Sequence, residues 1–322
     1  MKTFIHRNAA TIAEASAMLA EYKGQAALVG GGTDILGIVK ADILPDYPQA
    51  LINIKNIPGL DYIKEEAGVL KIGALTRLQD VADSSVVKAN YSALAKAYAT
   101  TATGGLRNMA RVGGNLAQKS RCWYYRYPQE CGGRFFCFRK GGALCYAVPG
   151  DNRYHAILAG QVCFSICASD AATALSALDA TVVTNKRSIP IGDFFVVLGN
   201  TLALDEIITE VQVPTPKAGT KQTYTKMAMR KAIDWALVSV ASAINIAGGT
   251  VTDAKITLGG VATIPYRAVG AEAVIKGKAI TEALAAAAGN AAVADAFPLS
   301  KNGYKVQIAK TLVKRAILDM AM

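Results

Sequence analysis

Residues 26–36 read "AALVGGGTDIL" and contain the motif that decides the fold. A short apolar run, typical of a buried strand, leads into three consecutive glycines, which a threonine and an aspartate follow. Glycine has no Cβ, so the backbone of such a turn can bend sharply and bring its N–H groups close to an anion. The spacing matches neither the G-x-G-x-x-G fingerprint nor a P-loop with its lysine. Alone, the stretch indicates either an anion-binding turn or an ordinary tight turn between a strand and a helix.

A second glycine pair favours the first of these interpretations. Roughly eighty residues further along the chain, residues 111–118 read "RVGGNLAQ", and we expect this pair in a loop that follows a helix. Two glycine-rich turns can each hold part of one extended ligand that contains a pyrophosphate. The sequence therefore favours a dinucleotide bound between two subdomains.

The rest of the chain predicts a mixed α and β architecture. Residues 11–22 predict a helix with a capping box formed by Thr11 and Glu14. The proline-flanked residues 213–221 predict a linker, beyond which three segments read as antiparallel strands and residues 305–322 as an amphipathic helix. At 322 residues the chain exceeds the usual length of a single domain.

Charge and hydropathy exclude two broad functions. The net charge is +11, but lysine and arginine are scattered, apart from a local excess at residues 119–153 that includes Arg134 against Glu130. A nucleic-acid groove requires clustered basic residues, so we expect no nucleic-acid partner. The longest uncharged run, residues 235–252, is punctuated by serine, threonine and asparagine, so we expect no membrane span. The first residues contain no secretory signal, and we expect a cytoplasmic protein.

All six cysteines lie between residues 122 and 167. In a cytoplasmic protein such a group favours reduced ligands over disulfides, although Cys163 and Cys167 also fit the role of small buried hydrophobic residues. The cysteines from 122 to 145 are separated by eight, five and seven residues. This spacing is looser than that of structural zinc sites and unlike that of ferredoxins. The spacing leaves three possibilities open: an iron–sulfur cluster, zinc, or no metal.

Five stretches, in order, resemble the FAD-binding subunit of the molybdenum hydroxylase (xanthine dehydrogenase) family: "LVGGGTDI", "RNMARVGGNLAQ", "SDAATALSALDATV", "DEIITEVQVP" and "YTKMAMRKAID". The resemblance implies an α+β fold, with two FAD-binding subdomains of the PCMH and CO dehydrogenase flavoprotein type. It also implies a C-terminal domain with a three-stranded antiparallel sheet and helices. We expect the boundaries at residues 1–57, 58–215 and 216–322, with an insertion at about 119–165.

The resemblance also implies FAD-binding residues. The first glycine turn would surround the pyrophosphate, the second segment would hold the cofactor from the other side, and three residues further along the chain would contact the flavin or the adenine end. These residues are Leu28, Val29, Gly30, Gly31, Gly32, Thr33, Asp34, Ile35, Arg111, Gly114, Asn115, Asp170, Ile208 and Lys226. Arg111 stands where the family commonly has a small hydroxyl residue.

The insertion at about residues 119–165 and the adjoining Cys167 are here called the cysteine segment. This segment is similar to an insertion in the flavin subunit of 4-hydroxybenzoyl-CoA reductase and of certain periplasmic aldehyde oxidoreductases. That resemblance implies an additional [4Fe–4S] cluster, with Cys122, Cys137, Cys145 and Cys163 as its ligands. Cys163 is preferred to Cys167 because it lies seven residues before Asp170, as the last ligand of the reductase does. Cys131 and Cys167 remain alternative ligands, and we expect His155 to fix the loop through a hydrogen bond.

The resemblance implies an electron-transfer subunit that relays electrons between a molybdenum partner and an external one-electron carrier such as ferredoxin. The sequence contains no molybdenum-cofactor segment and no plant-type C-x₄-C-x₂-C run, so a catalytic molybdenum subunit and a small [2Fe–2S] subunit are implied as partners. Two alternatives are a flavin-free relative that uses its cysteines for zinc or redox sensing, and a free-standing flavin oxidase of the vanillyl-alcohol type. The roughly 100 residues after the linker leave little room for the substrate domain of such an oxidase.

Overall fold

The structure, a computed structural model, describes residues 1–128, 131 and 135–321. Glu130, Arg134 and Met322, which the sequence predictions include, lie outside the described residues. The chain begins with five elements: β1 (Ile5–Asn8), α1 (Ile12–Glu21), β2 (Ala26–Val29), α2 (Ile35–Ala41) and β3 (Ala50–Asn53). The three strands form a parallel sheet in the order β1-β3-β2. The Thr11 hydroxyl caps α1 by accepting from the Glu14 N–H at 3.1 Å, and the Glu14 carboxylate accepts from the Ala10 N–H at 2.7 Å.

An antiparallel sheet of five strands, in the order β4-β5-β10-β6-β7, forms the second part of the fold. Its first elements are β4 (Ile63–Glu66), β5 (Val69–Gly73), α3 (Leu78–Asp83), α4 (Ser85–Asn90), α5 (Ser92–Ala99), α6 (Gly104–Met109) and α7 (Val112–Ala117). The later elements are α8 (Asp170–Ala177), β6 (Thr181–Thr184), β7 (Ser188–Pro190), α9 (Ile191–Phe194), β8 (Phe195–Val196), β9 (Gly199–Asn200) and β10 (Ile208–Pro214). The buried side chains of Tyr91, Tyr98 and Leu175 belong to the core between this sheet and its helices.

The second glycine pair lies in the short helix α7, so the prediction of a loop there was wrong. Two consecutive glycines disfavour a helix by propensity, but tertiary contacts override that preference here. The Gly113 N–H donates to the Ala74 carbonyl at 2.9 Å, and a Cβ on Gly113 would lie 3.1 Å from the Cβ of Ala74. Glycine therefore allows α7 to pack closely against the chain that leaves β5.

The cysteine segment between α7 and α8 is largely irregular, and its only helical turns in the described residues are short. Tyr125 and Cys137 pack against Ile38 of α2 and the neighbouring Ile43. A separate small cluster includes Ala147, Ala156 and Phe164. The segment is also tied to the C-terminal part, because the buried Lys305 ammonium donates to the His155 carbonyl at 3.0 Å. Contacts with α2 on one side and with the C-terminal part on the other therefore fix the position of this irregular segment in the fold.

The C-terminal elements are β11 (Thr220–Met227), β12 (Val238–Ala247), β13 (Thr250–Gly259), β14 (Tyr266–Arg267), α10 (Val269–Ile275), α11 (Glu282–Ala291) and α12 (Tyr304–Ala321). The strands form an antiparallel sheet in that order, so the three expected strands are present and a fourth strand of two residues extends them. Alternate residues of β12 face two different cores: Ala241 faces the helices of the second part, and Val240 faces the C-terminal helices. Burial on both faces explains the long uncharged run that begins at residue 235. Within the described residues, no helix combines the length and the apolar character that a membrane crossing requires.

Candidate functional site

The first glycine turn joins β2 to α2 and lies against the chain that precedes α7. A Cβ on Gly31 would lie 1.9 Å from the Met109 carbonyl oxygen, so any larger residue would collide with backbone. Gly32 has a φ of +73°, in the left-handed region that glycine adopts without strain. A Cβ on Gly30 would lie 3.3 Å from Cγ of Arg111. The two glycine segments that the sequence predicted to act together are therefore in direct contact.

Arg111 supports this junction from inside the protein. Its Nη1 donates to the Leu75 carbonyl at 2.9 Å, and its backbone forms an isolated β-bridge with Arg77. The Nε of Arg111 is buried and has no hydrogen-bond partner. Burial, reinforced by the neighbouring charge of Arg77, lowers the pKa of the Arg111 guanidinium. The side chain therefore braces the first glycine turn rather than reaching the cavity described next.

A cavity of about 190 Å³ opens between the two glycine segments and the C-terminal sheet. Six of the residues that the resemblance assigned to FAD line it: Thr33, Asp34, Gly114, Asn115, Asp170 and Lys226. A Cβ on Gly114 would meet no protein atom within 4 Å, so this glycine faces open space. The other predicted residues do not line the cavity: Leu28, Val29, Gly30, Gly31, Gly32, Ile35, Arg111 and Ile208. Ile208 instead packs against Gly113.

One wall of the cavity contains a buried ion pair. The Lys226 ammonium lies 2.7 Å from Asp170 Oδ2 and donates to the Thr100 carbonyl at 3.1 Å. The Tyr224 hydroxyl donates to the other carboxylate oxygen of Asp170 at 2.7 Å. Burial raises the pKa of the Asp170 carboxyl, whereas Lys226 and the hydrogen bond from Tyr224 lower it. Asp170 begins α8 and Lys226 belongs to β11, so the pair forms only when the two parts of the fold meet.

Besides the six predicted residues, the lining includes residues that were not predicted from the sequence, among them Arg107, Arg121 and Trp235. The guanidinium of Arg121 lies over the Trp235 ring, 5.2 Å from its centroid, and Trp235 is 45% exposed. Trp235 belongs to no local sequence motif. It reaches the cavity through the path that residues 228–235 take after β11. Arg121 carried a weak signal as part of the basic excess beside Cys122. The lining contains three cationic side chains (Arg107, Arg121 and Lys226) and three carboxylates (Asp34, Asp170 and Asp234). The guanidinium groups are donors of the kind that bind phosphate groups.

A second, small cavity lies within the cysteine segment. Four of the six cysteines line it: Cys122, Cys137, Cys145 and Cys163. Tyr124, Tyr125 and Tyr146 are among the other lining residues. Cys131 is exposed and does not line this cavity. Cys167 packs against the core between the five-stranded sheet and its helices. All six cysteines are free thiols.

Polar groups surround these thiols. Arg139 Nε donates to Cys163 Sγ at 3.3 Å, and the Ser165 backbone N–H lies 3.5 Å from the same sulfur. His155 Nε2 lies 3.2 Å from Cys122 Sγ, which agrees with its expected role in fixing the loop. Burial raises the pKa of the Cys122 thiol to about 12 and lowers the pKa of His155 to about 4. Without a bound cation, Cys122 is therefore a neutral thiol and His155 a neutral imidazole at pH 7.

Within the part of the chain that the structure describes, no group of three or more His, Cys, Asp and Glu side chains converges closely enough to hold a metal ion. The same four cysteines nevertheless share one cavity. The two observations are compatible, because a single ion needs ligand atoms that meet around one point. A cubane cluster instead spreads its four thiolates over four iron atoms. In the described residues the four thiol groups therefore surround a common space without meeting at one point.

Comparison with known proteins agrees with this geometry over nearly the whole chain. Residues 3–216 match the family of the FAD binding domain in molybdopterin dehydrogenase, and residues 223–320 match the CO dehydrogenase flavoprotein C-terminal domain. The aldehyde oxidoreductase FAD-binding subunit of Escherichia coli K12 is 35% identical over 99% of this chain and 98% of its own. The carbon monoxide dehydrogenase medium chain of Hydrogenophaga pseudoflava is 29% identical over 95% of this chain and 93% of its own.

A solved structure of carbon monoxide dehydrogenase from Hydrogenophaga pseudoflava superimposes with a TM-score of 0.79. It is 28% identical in sequence and covers 99% of this chain and 97% of the compared chain. The expected α+β flavoprotein fold with its C-terminal antiparallel sheet and the expected FAD binding are confirmed. The chain therefore belongs to the family of FAD-binding subunits of molybdenum hydroxylase-type dehydrogenases.

Proposed function

We propose that this subunit carries a [4Fe–4S] cluster beside its FAD and relays electrons between a molybdenum partner and an external one-electron carrier. One observation supports the cluster above all others. The four cysteines chosen as ligands by resemblance line a single cavity, whereas the two alternatives do not. Cys131 is exposed, and Cys167 packs elsewhere. The four cysteines come from irregularly spaced positions and nevertheless line one common cavity.

The chemistry of the surrounding residues fits a cluster. Hydrogen bonds to the ligand sulfurs and shielding from solvent are the means by which a protein sets the potential of an iron–sulfur cluster. Arg139 and the Ser165 amide supply the first at Cys163, and Tyr124, Tyr125 and Tyr146 supply the second. The raised pKa of Cys122 means that iron must replace a tightly held proton. Because cluster ligands must be thiolates, we expect the cluster to be bound less tightly as the pH falls.

The FAD site would hold its cofactor between the glycine segments and the Asp170–Lys226 pair. Bound FAD supplies chemistry in which electrons are accepted in pairs and released singly, which links two-electron substrates to one-electron clusters. The chain itself orients the cofactor and places fixed charges around it. Gly114 leaves room for close approach, Arg121 places a guanidinium group at the cavity, and Lys226 is held in place by Asp170.

We also propose the partners that such a relay requires: a catalytic molybdenum subunit, a small [2Fe–2S] subunit and a ferredoxin-like carrier. The relatives support an assembly, since their names describe them as an FAD-binding subunit or a medium chain. We further propose the cytoplasm as the compartment, since a cluster held by four cysteines needs them as reduced thiolates. Substrate chemistry would occur on the molybdenum subunit, so no acid–base pair is assigned to this chain.

Cysteine variants test the proposal directly. The enzyme is purified anaerobically with its co-purifying subunits, and iron, sulfide, zinc and FAD are measured per chain of this subunit. We expect Cys145→Ser to lose the iron of the cluster and to keep FAD. Cys131→Ser, a matched change at an exposed cysteine of the same segment, should keep both.

Other results would contradict the proposal. Zinc instead of iron in the wild-type subunit would favour a structural or sensing role for the cysteines. Equal iron in the two variants would mean that Cys145 is not a ligand. Since a small iron–sulfur partner also contributes iron, the spectrum of the isolated subunit is recorded as well.

A further inference from the structure

Asp34 belongs to the turn that is expected to surround the FAD pyrophosphate with backbone amides, and its carboxylate has partners of its own. Oδ1 lies 2.6 Å from Arg126 Nη2 and 3.0 Å from Arg121 Nη2, and Oδ2 accepts from the Lys119 N–H at 2.9 Å. Asp34 stands at the N-cap position of α2, where an aspartate usually accepts from the helix, yet it makes no capping hydrogen bond. The carboxylate is turned away from its own helix and towards the start of the cysteine segment.

Arg126 continues this connection towards the cysteines. Its Nε donates to the Ser120 carbonyl at 2.7 Å, and its Nη2 also lies 3.0 Å from the Lys119 carbonyl. Its backbone N–H donates to the Cys122 carbonyl at 2.9 Å and closes the turn that contains this cysteine. The Cys122 N–H in turn donates to the Ser120 hydroxyl at 3.2 Å. Arg126 thus holds the backbone before Cys122 through its side chain and closes the turn after Cys122 through its backbone N–H.

The ion pairs are largely shielded from solvent, so a movement of Asp34 would also move the two arginines. The side chains of Asp34, Arg126 and Arg121 are 17%, 17% and 22% exposed. Charge-assisted hydrogen bonds of this kind are short and strong, so their partners move together. Asp34 also lines the large cavity and directly follows the glycines of the first turn. Arg126 does not line that cavity. A substitution of Arg126 therefore tests the connection to the cysteine segment without removing a group that faces the ligand.

We propose that Asp34, Arg121 and Arg126, here called the Asp34 ion cluster, couple FAD binding to the conformation of the cysteine segment around Cys122. FAD orders the glycine turn, the turn holds Asp34, and Asp34 holds Arg126 and with it the turn that contains Cys122. In this role the Asp34 carboxylate is a positioning group. Coupling of this kind is reciprocal, so an ordered cysteine segment also strengthens FAD binding. The proposal needs FAD but no iron, and it therefore stands apart from the proposed cluster.

Hydrogen exchange of the amides of Cys122 and Arg126 tests the coupling. The purified enzyme is compared with its flavin-depleted form after addition of saturating FAD, and FAD occupancy is verified by visible absorption. We expect FAD to slow exchange of these two amides by about fivefold or more in the wild type, the lower end of typical coupling. In Asp34→Asn and in Arg126→Gln the effect of FAD should fall below about twofold. Arg153→Gln, which removes an exposed ion pair with Asp151 in the same segment, should behave as the wild type.

Each result decides the proposal. An absence of any FAD effect in the wild type, or an effect that persists in both variants, would overturn it. If Asp34→Asn binds no FAD, Arg126→Gln decides, because Arg126 lies outside the cavity lining. Loss of FAD binding in Arg126→Gln, with binding retained in Arg153→Gln, would also support coupling. Iron measured in the isolated wild-type subunit keeps the two questions separate. A subunit without iron would refute the cluster, whereas the exchange rates test the coupling in either case.

Discussion

Substitution of Gly31 by alanine tests whether the contact between the two glycine segments maintains the flavin site. A Cβ at this position would lie 1.9 Å from the Met109 carbonyl oxygen and 2.7 Å from its carbonyl carbon. Real Cβ atoms essentially never approach closer than 3.0 Å, so the two backbones must separate by 3.0 − 1.9 = 1.1 Å. The obstacle is backbone, and no side-chain rotation can relieve it. The turn and the chain before α7 must therefore move apart.

The cost of this separation can be estimated from overpacking. Methyl groups forced into well-packed sites cost about 1–3 kcal/mol, and a collision with backbone belongs at the upper end. We expect Gly31→Ala to lower the free energy of unfolding by about 3 kcal/mol. FAD affinity should fall by at least about tenfold, since tenfold corresponds to only about 1.4 kcal/mol. Gly37→Ala is the matched control, because a Cβ there meets no atom within 4 Å. Gly37 lies inside α2, so its replacement should stabilise the protein by about 0.5–1 kcal/mol.

The assay combines urea unfolding of the flavin-depleted subunit with a fluorescence titration of added FAD. If Gly31→Ala unfolds at the same urea concentration as Gly37→Ala and binds FAD equally well, the close contact is not present in the protein. The explanation of the triple glycine would then be wrong. A variant that loses stability but binds FAD normally would show that the contact stabilises the fold without supporting cofactor binding. The expected loss of FAD affinity would then be refuted.

Three further perturbations examine other parts of the site and fold. Lys226→Met leaves the buried Asp170 carboxylate without its cation and should lower the free energy of unfolding by about 3–5 kcal/mol in urea titrations. Adding Asp170→Asn should recover part of that loss, and a fully additive second loss would contradict the pairing. Gly114→Ala adds a Cβ that meets no protein atom within 4 Å, so the free energy of unfolding should not fall while FAD affinity does. Unchanged affinity in a fluorescence titration would remove Gly114 from the cofactor site. Hydrogen bonds, of which the one from Arg187 has the largest effect, lower the pKa of Glu206 from 4.5 to about 2. The contribution of Glu206 to stability is therefore complete above pH 4.5 and is lost as the pH falls towards 2. Unfolding midpoints measured across this range should show a weaker pH dependence in Glu206→Gln than in the wild type.

Local chemistry in the sequence was sufficient to predict the elements and the ligand class. The glycines at 30–32 and 113–114, the capping residue Thr11 and the strand segments after the linker report on backbone conformation, which neighbouring residues largely control. The resemblance of five ordered motifs added the flavoprotein fold and FAD, and both are confirmed. The exception at this level was the helical state of Gly113 and Gly114, which depends on packing against Ala74.

The sequence by itself determined which residues could bend, cap, pair or ligate, because those properties belong to single side chains and their immediate neighbours. Only the tertiary structure decided which of them meet. Asp34 meets Arg126 across ninety-two positions, and Asp170 meets Lys226 across fifty-six. Contacts of this range depend on how sheets and helices pack, and no periodicity within a window of sequence encodes them. For the same reason, the ion pairs of the Asp34 carboxylate with Arg121 and Arg126 could not be predicted, and the place of Trp235 was found only at the cavity itself.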